Sequence, residues 1–118
     1  MPQPWLIEFY RESTGRTPVQ DFVDGLSLAA QAAVLRDIGL LRDFGLAVSF
    51  PTVRPIEGIR KLWELRTKTA DGAIRIFYVA QSGRKFVLLH AFIKQSAKTP
   101  KTELNIAVKR LRQVLEEK

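Results

Sequence analysis

The chain has no cysteine, and its 118 residues include only 1 histidine. Without thiols there is no disulfide framework, no thiolate metal site and no cysteine nucleophile. Long apolar runs are also missing. None approaches the ~20 residues that a membrane span requires. The opening MPQPWLIEFY is broken by Glu8 and Arg11 too early to act as a secretory signal. A soluble, cytoplasmic protein with no membrane partner is expected. There is no phosphate-binding P-loop, no glycine-rich dinucleotide fingerprint and no grouping of His or carboxylate residues at metal-ligand spacing. Internal repeats and low-complexity stretches are absent as well.

What the sequence has in excess is positive charge. Lys and Arg number 19 against 12 Asp and Glu, a formal charge of +7 that suits a polyanionic partner. An apolar content of 46% over this length fits a single domain, residues 1–118, with its own core.

Residues 4–12, PWLIEFYRE, alternate as a half-buried strand. Thr17-Pro18-Val19-Gln20 offers an N-cap, a first-turn proline and a capping-box glutamine, so a helix is predicted from there to about Leu26. Ser27 is placed to cap a second helix that stops at Gly45, with Leu28, Ala32, Leu35, Ile38 and Leu41 as its apolar stripe. The two helices make a hairpin. A loop with Pro51 and Pro55 follows. Three β-rich runs, residues 61–68, 73–80 and 85–94, are joined by short connectors containing glycine and predict an antiparallel meander. Thr99-Pro100 then opens a terminal helix with Leu104, Ala107, Leu111 and Leu115 as its stripe. The fold class is α+β: an antiparallel sheet of about four strands, packed against the N-terminal helix hairpin, with the helices on one face.

Alternate residues of a strand share a face. Trp63, Leu65, Ile74, Ile76, Tyr78, Val87 and Leu89 are assigned to the helix side. Glu64, Arg66, Arg75, Phe77, His90, Phe92 and Lys94 then share an open side, provided no bulge interrupts the alternation.

Arginines inside RKLWELRTKTADGAIRIFYVA (residues 60–80), the most β-prone segment, call for a role besides sheet formation. Metal-free RNA cleavage needs a base for the 2′-hydroxyl proton, cations for the charge building on phosphorus and an acid for the leaving 5′-oxygen. Arg66 and Arg75 suit the phosphate, because a guanidinium grips two oxygens at once and stays charged. His90 and Glu64 are candidate bases. Lys94 is a candidate acid or charge stabiliser if nearby cations lower its pKa. Phe77 is a candidate ring for stacking on a base, and Lys61 and Lys68 add general attraction for phosphate. Structural roles compete for the same residues. His90 also reads as a satisfied core histidine, Glu64 and Arg66 as a pair within the sheet, and Phe77 as a ring covered by the terminal helix. Lys61 and Lys68 also read as charges that keep strand ends soluble. Lys101, Lys109, Arg110 and Arg112 read as the solvated face of the last helix.

The ordered set WLIEFY, LWELR (62–66), IRIFYV (74–79), LLHAFIK (88–94) and KTPKTELNIA (98–107) resembles the phage-derived branch of the RelE/HigB toxins of bacterial type II toxin–antitoxin pairs. The resemblance runs over nearly the whole chain. It implies the RelE-like fold, an endoribonuclease activity that inhibits translation by cleaving mRNA on the ribosome, and no cofactor. The implied partner is a small helix-turn-helix antitoxin, held in a hetero-oligomeric complex. By position, Arg75 matches the family's characteristic strand arginine, a phosphate and transition-state contact. Arg66 matches a second basic position, Lys94 the basic position closing the last strand, and Lys98 continues that basic run. Leu62 and Glu64 stand where better-studied members carry lysines, and Gln95 where the phage-derived branch often has another, so the resemblance supplies no general base. Two other readings stay open. One is a ParE-like gyrase inhibitor, which the fold alone does not separate from a nuclease. The other is a non-catalytic basic domain that binds RNA or a protein through the same face.

Overall fold

The computed structural model describes residues 3–116. Its elements run β1 (Leu6–Phe9), α1 (Pro18–Asp24), α2 (Leu28–Phe44), β2 (Val53–Pro55), β3 (Trp63–Thr69), β4 (Gly72–Gln81), β5 (Lys85–Lys94) and α3 (Lys101–Glu116). The strands form one sheet in the order β1-β5-β4-β3-β2. β3, β4 and β5 are the antiparallel meander expected from their connectors. β1 lies parallel to β5, from Leu6 opposite Lys85 to Phe9 opposite Leu88, so the sheet is mixed. The proline-bearing loop supplies a fifth strand: Val53, Arg54 and Pro55 pair with Leu65, Glu64 and Trp63. β2 is an edge strand, where a proline lacking an N–H interrupts no inner ladder.

The hairpin of α1 and α2 covers one sheet face. Val19, Val23, Val34, Ile38 and Leu41 pack there with Leu65, Ile74, Ile76, Tyr78, Phe86 and Leu88. The stripe of α2 differs from the predicted one. Ala30, Val34, Ile38 and Leu41 are buried, whereas Leu28 and Leu35 are exposed. A polar residue lies on the buried side: Asp37 accepts a 2.7 Å hydrogen bond from Thr67 Oγ1. A carboxylate partnered in this way is tolerated inside, but it hides the stripe from a count of apolar spacing. Ser27 caps α2 as expected, its Oγ accepting from the Ala30 N–H at 3.2 Å. Thr17 makes no such cap, and the Gln20 amide donates to Asp24 instead. Gly45 ends α2 with φ of 56°. A Cβ there would also overlap the Trp5 indole, so glycine is required twice over.

α3 covers the opposite sheet face, which corrects the expectation of all helices on one side. Ala107, Leu111 and Val114 pack on Phe77, Val79, Val87, Leu89 and Phe92. Val87 and Leu89 therefore belong under α3, not under the hairpin. The cause is a bulge in β5. Phe77 pairs with His90 and Tyr78 with Leu88, which leaves Leu89 unpaired. One extra residue reverses the side of every strand position before it. This α3 core ends at Phe92, and beyond it Arg66, Lys68 and Lys94 on the same face keep access to solvent. Among the described residues no helix is long and apolar enough to cross a membrane.

Candidate functional site

Strand register sets the charges in rows on the α3 face. Arg54 stands opposite Glu64, Glu64 opposite Phe77, and Phe77 opposite His90. The next row is Arg66, Arg75 and Phe92, and the one after it Lys68, Ala73 and Lys94. Glu64 is 0% exposed. Its Oε1 accepts a 3.0 Å hydrogen bond from Arg54 Nε and lies 3.9 Å from the Nε of both Arg66 and Arg75. At 3.9 Å the charges still attract, but no hydrogen bond forms. Glu64 Oε2, Arg66 Nε and Arg75 Nε are accordingly buried with no hydrogen-bond partner among the described residues. Native structures leave few such atoms. Arg66 and Arg75 each keep an Nε–H that no protein group among the described residues engages.

Arg75 is 9% exposed, which corrects its expected position on an open surface. Its Nη1 donates to the Ile74 carbonyl at 3.3 Å. Burial, helped by Arg66 and Arg54 and opposed by Glu64, holds its pKa below the ordinary arginine value. The guanidinium stays charged at any working pH even so. Lys94 is pulled below the ordinary lysine value, first by burial and then by Arg75, with Glu64 pulling the other way. Arg54, Arg66, Arg75 and Lys94 thus share one buried carboxylate, a positive surplus near low-dielectric protein. Arg54 was not among the sequence candidates. A three-residue edge strand beside two prolines carries no alternation by which to find it.

Phe77 does not face solvent. It is 0% exposed and stacks on Phe92 with ring centroids 5.7 Å apart, which corrects its role as a ring for stacking on a base. Lys68 lies exposed on the face of the cluster, next to Arg66 along β3. Lys61, at φ of 71°, is exposed in the turn before β3, and Lys98 is exposed in the loop before α3. Glu64, a candidate base in the sequence, is 0% exposed and engages Arg54 as the shared anion of the cluster.

Residues 21–112 match the family described as phage derived protein Gp49-like (DUF891). The chain belongs to this family. The family is associated with toxins of toxin–antitoxin pairs, of the RelE/HigB-like type, and an antitoxin partner goes with that association. No curated protein matches the chain. Every residue of the basic cluster lies within the matched span, whereas β1 lies outside it.

In this Gp49-like chain His90 belongs to a different cluster. Its Nε2 is 2.6 Å from Glu103 Oε1, and its Nδ1 is 3.4 Å from Arg110 Nη1. Arg110 Nη1 also donates to the Leu89 carbonyl at 2.8 Å, beside the bulge, and its guanidinium lies 5.0 Å over the Tyr10 ring. Arg110 is therefore a tie between α3 and the sheet, not part of a solvated face. A neutral imidazole fits this setting: Nε2–H donates to Glu103 while Nδ1 accepts from Arg110. Burial, the largest influence, lowers the His90 pKa, Glu103 raises it and Arg110 lowers it. Burial prevails over Glu103, and the Arg110 guanidinium facing Nδ1 adds to it. On the ladder Phe77 separates His90 from Glu64, and along β5 Phe92 separates it from Lys94. The expected grouping of His90 with Arg66, Arg75 and Lys94 is corrected accordingly. Among the described residues, no three His, Asp or Glu side chains gather as a metal site.

A pH effect follows from the His90 environment. Its folded pKa lies below the unfolded value of ~6.5, so the unfolded chain takes up the proton first. The stability due to neutral His90 is present above about pH 6.5 and is lost as pH falls through the folded pKa. Thermal melts between pH 7.5 and 5 should show this loss, and His90→Gln should flatten it. An unchanged pH slope in the variant would assign the effect to other groups.

Proposed function

We propose that this chain is the endoribonuclease toxin of a type II toxin–antitoxin pair, cutting mRNA on the ribosome and restrained by a helix-turn-helix antitoxin. The observation that carries this reading is the Arg54, Arg66, Arg75 and Lys94 cluster around one buried carboxylate, at the end of the sheet face that α3 leaves uncovered. Membership of a toxin-associated family supports it. Arg66 and Arg75 grip the scissile phosphate, and Glu64 keeps their side chains in place. The ribose 2′-oxygen attacks phosphorus, the new O2′–P bond forms and the P–O5′ bond breaks. Lys94, made more acidic by burial and by Arg75, gives its proton to the departing O5′. The 2′-hydroxyl proton passes to solvent, since both ring nitrogens of His90 are engaged elsewhere. The products are a 2′,3′-cyclic phosphate and a 5′-hydroxyl.

Brief expression of the chain without an antitoxin should stop growth and leave translated mRNAs broken internally at such ends. Mapping of RNA termini minutes after induction checks this. Intact mRNA together with trapped gyrase–DNA breaks would replace the nuclease by a gyrase inhibitor. Intact RNA and intact DNA would leave a binding domain.

A further inference from the structure

An exposed aromatic ring does stand beside the basic cluster, although it is not Phe77. Phe50 is 71% exposed, and the guanidinium carbon of Arg66 lies 5.6 Å from the centre of its ring. A single exposed apolar side chain requires no explanation. This one is set apart by its contact, because Arg66 is also one of the arginines whose Nε has no partner among the described residues. The turn that carries Phe50 is held at its base. The Thr52 and Val53 N–H groups both donate to the Ser49 carbonyl, at 3.0 and 3.3 Å, and the Arg66 N–H donates to the Thr52 carbonyl at 2.8 Å. The turn therefore holds the Phe50 ring beneath the Arg66 guanidinium at the rim of the charged face.

Resting on the ribonuclease reading, we propose that Phe50 and the Arg66 guanidinium form a stacking platform for an unpaired nucleobase next to the phosphate held by Arg66 and Arg75. The substrate class is then single-stranded RNA. Nucleobases expose a π-face only when unstacked from a duplex, and single-strand sites pair such rings with cations that track the backbone. Charge complementarity supports the same occupant, since four cations share one carboxylate here. The long Arg66 side chain serves both parts, lying over the ring while its charge reaches toward the phosphate.

The test uses the full chain and fluorescent 2′-O-methyl oligoribonucleotides, which offer no 2′-hydroxyl for attack. Phe50→Ala should melt at the parental temperature, because the ring is largely exposed. It should bind the intact single strand roughly 5- to 150-fold more weakly, the range that stacking of one base on an aromatic ring spans. Phe50→Trp should restore binding. With a strand carrying an abasic residue at the stacked position, found by moving the lesion along the strand, the parent and Phe50→Ala should bind equally. Parental affinity in Phe50→Ala, while Arg75→Ala loses binding, overturns the platform and leaves the phosphate site standing. An equal loss on intact and on every abasic strand, or a duplex bound as tightly as a single strand, overturns it as well. If the parent binds no strand, the platform fails, and the mapping of RNA termini after induction decides the ribonuclease reading by itself.

Discussion

Arg75→Ala is expected to slow single-turnover RNA cleavage roughly a hundredfold or more, the effect of losing one oriented positive group worth about 2.7 to 4 kcal/mol at a reacting centre. The open side assigned from the sequence would leave Arg75 free of core contacts. Because Arg75 is nearly buried and lies 3.9 Å from Glu64, some thermal stability should now be lost too. That loss should stay modest, since Arg54 retains its hydrogen bond to Glu64. Arg75→Lys separates the two effects. It keeps a charge near Glu64 but lacks the two-pronged grip on phosphate, so it should melt close to the parent and cleave poorly. Melting temperature and cleavage rate measured on one preparation decide the matter. A parental rate in Arg75→Ala would remove this residue from the chemistry.

Glu64→Ala should be the most destabilising change in the cluster. Removing one partner of a buried ion pair costs about 3 to 5 kcal/mol, because the remaining charge stays desolvated. The side chains of Arg54 and Arg66 are 42% and 26% exposed, so water screens part of the repulsion and the lower end of that range applies. Denaturant unfolding measures the loss. Glu64→Gln keeps the shape but removes the charge, leaving Arg54, Arg66, Arg75 and Lys94 without their shared anion. Added inorganic phosphate should then raise the melting temperature of Glu64→Gln by more than it raises that of the parent. An equal shift in both would mean that the cations do not converge on one anion site. A neutral Glu64→Ala would mean that the carboxylate is dispensable to the fold.

Both expectations depend on burial, which the sequence did not show. Arg66, Arg75 and Lys94 could be grouped from alternation alone, because β3 and β4 and the later part of β5 follow a regular two-residue period. Arg54 could not, since its strand is three residues long and itself ends in a proline. His90 was grouped with the arginines on the correct face but in the wrong cluster. Glu103 and Arg110 engage it from α3, and the spacing of residues within a helix does not tell which sheet face the helix will cover.

The sequence by itself determined the α+β class, the meander of β3, β4 and β5, the Ser27 and Gly45 boundaries of α2, and the terminal helix after Pro100. Each of these rests on local chemistry: a cap, a turn residue or a repeat of apolar side chains within a few positions. Only the tertiary structure decided that β1 lies parallel to β5, that Leu89 forms a bulge and that α3 packs opposite the hairpin. Alternation within a strand is the same whichever way its neighbour runs, and one extra residue reverses a face without changing the composition. The charges behave likewise. Arginine and glutamate are soluble surface residues in the sequence, and they became one cluster because sheet register set Arg54, Arg66 and Arg75 around a Glu64 that is itself withdrawn from water.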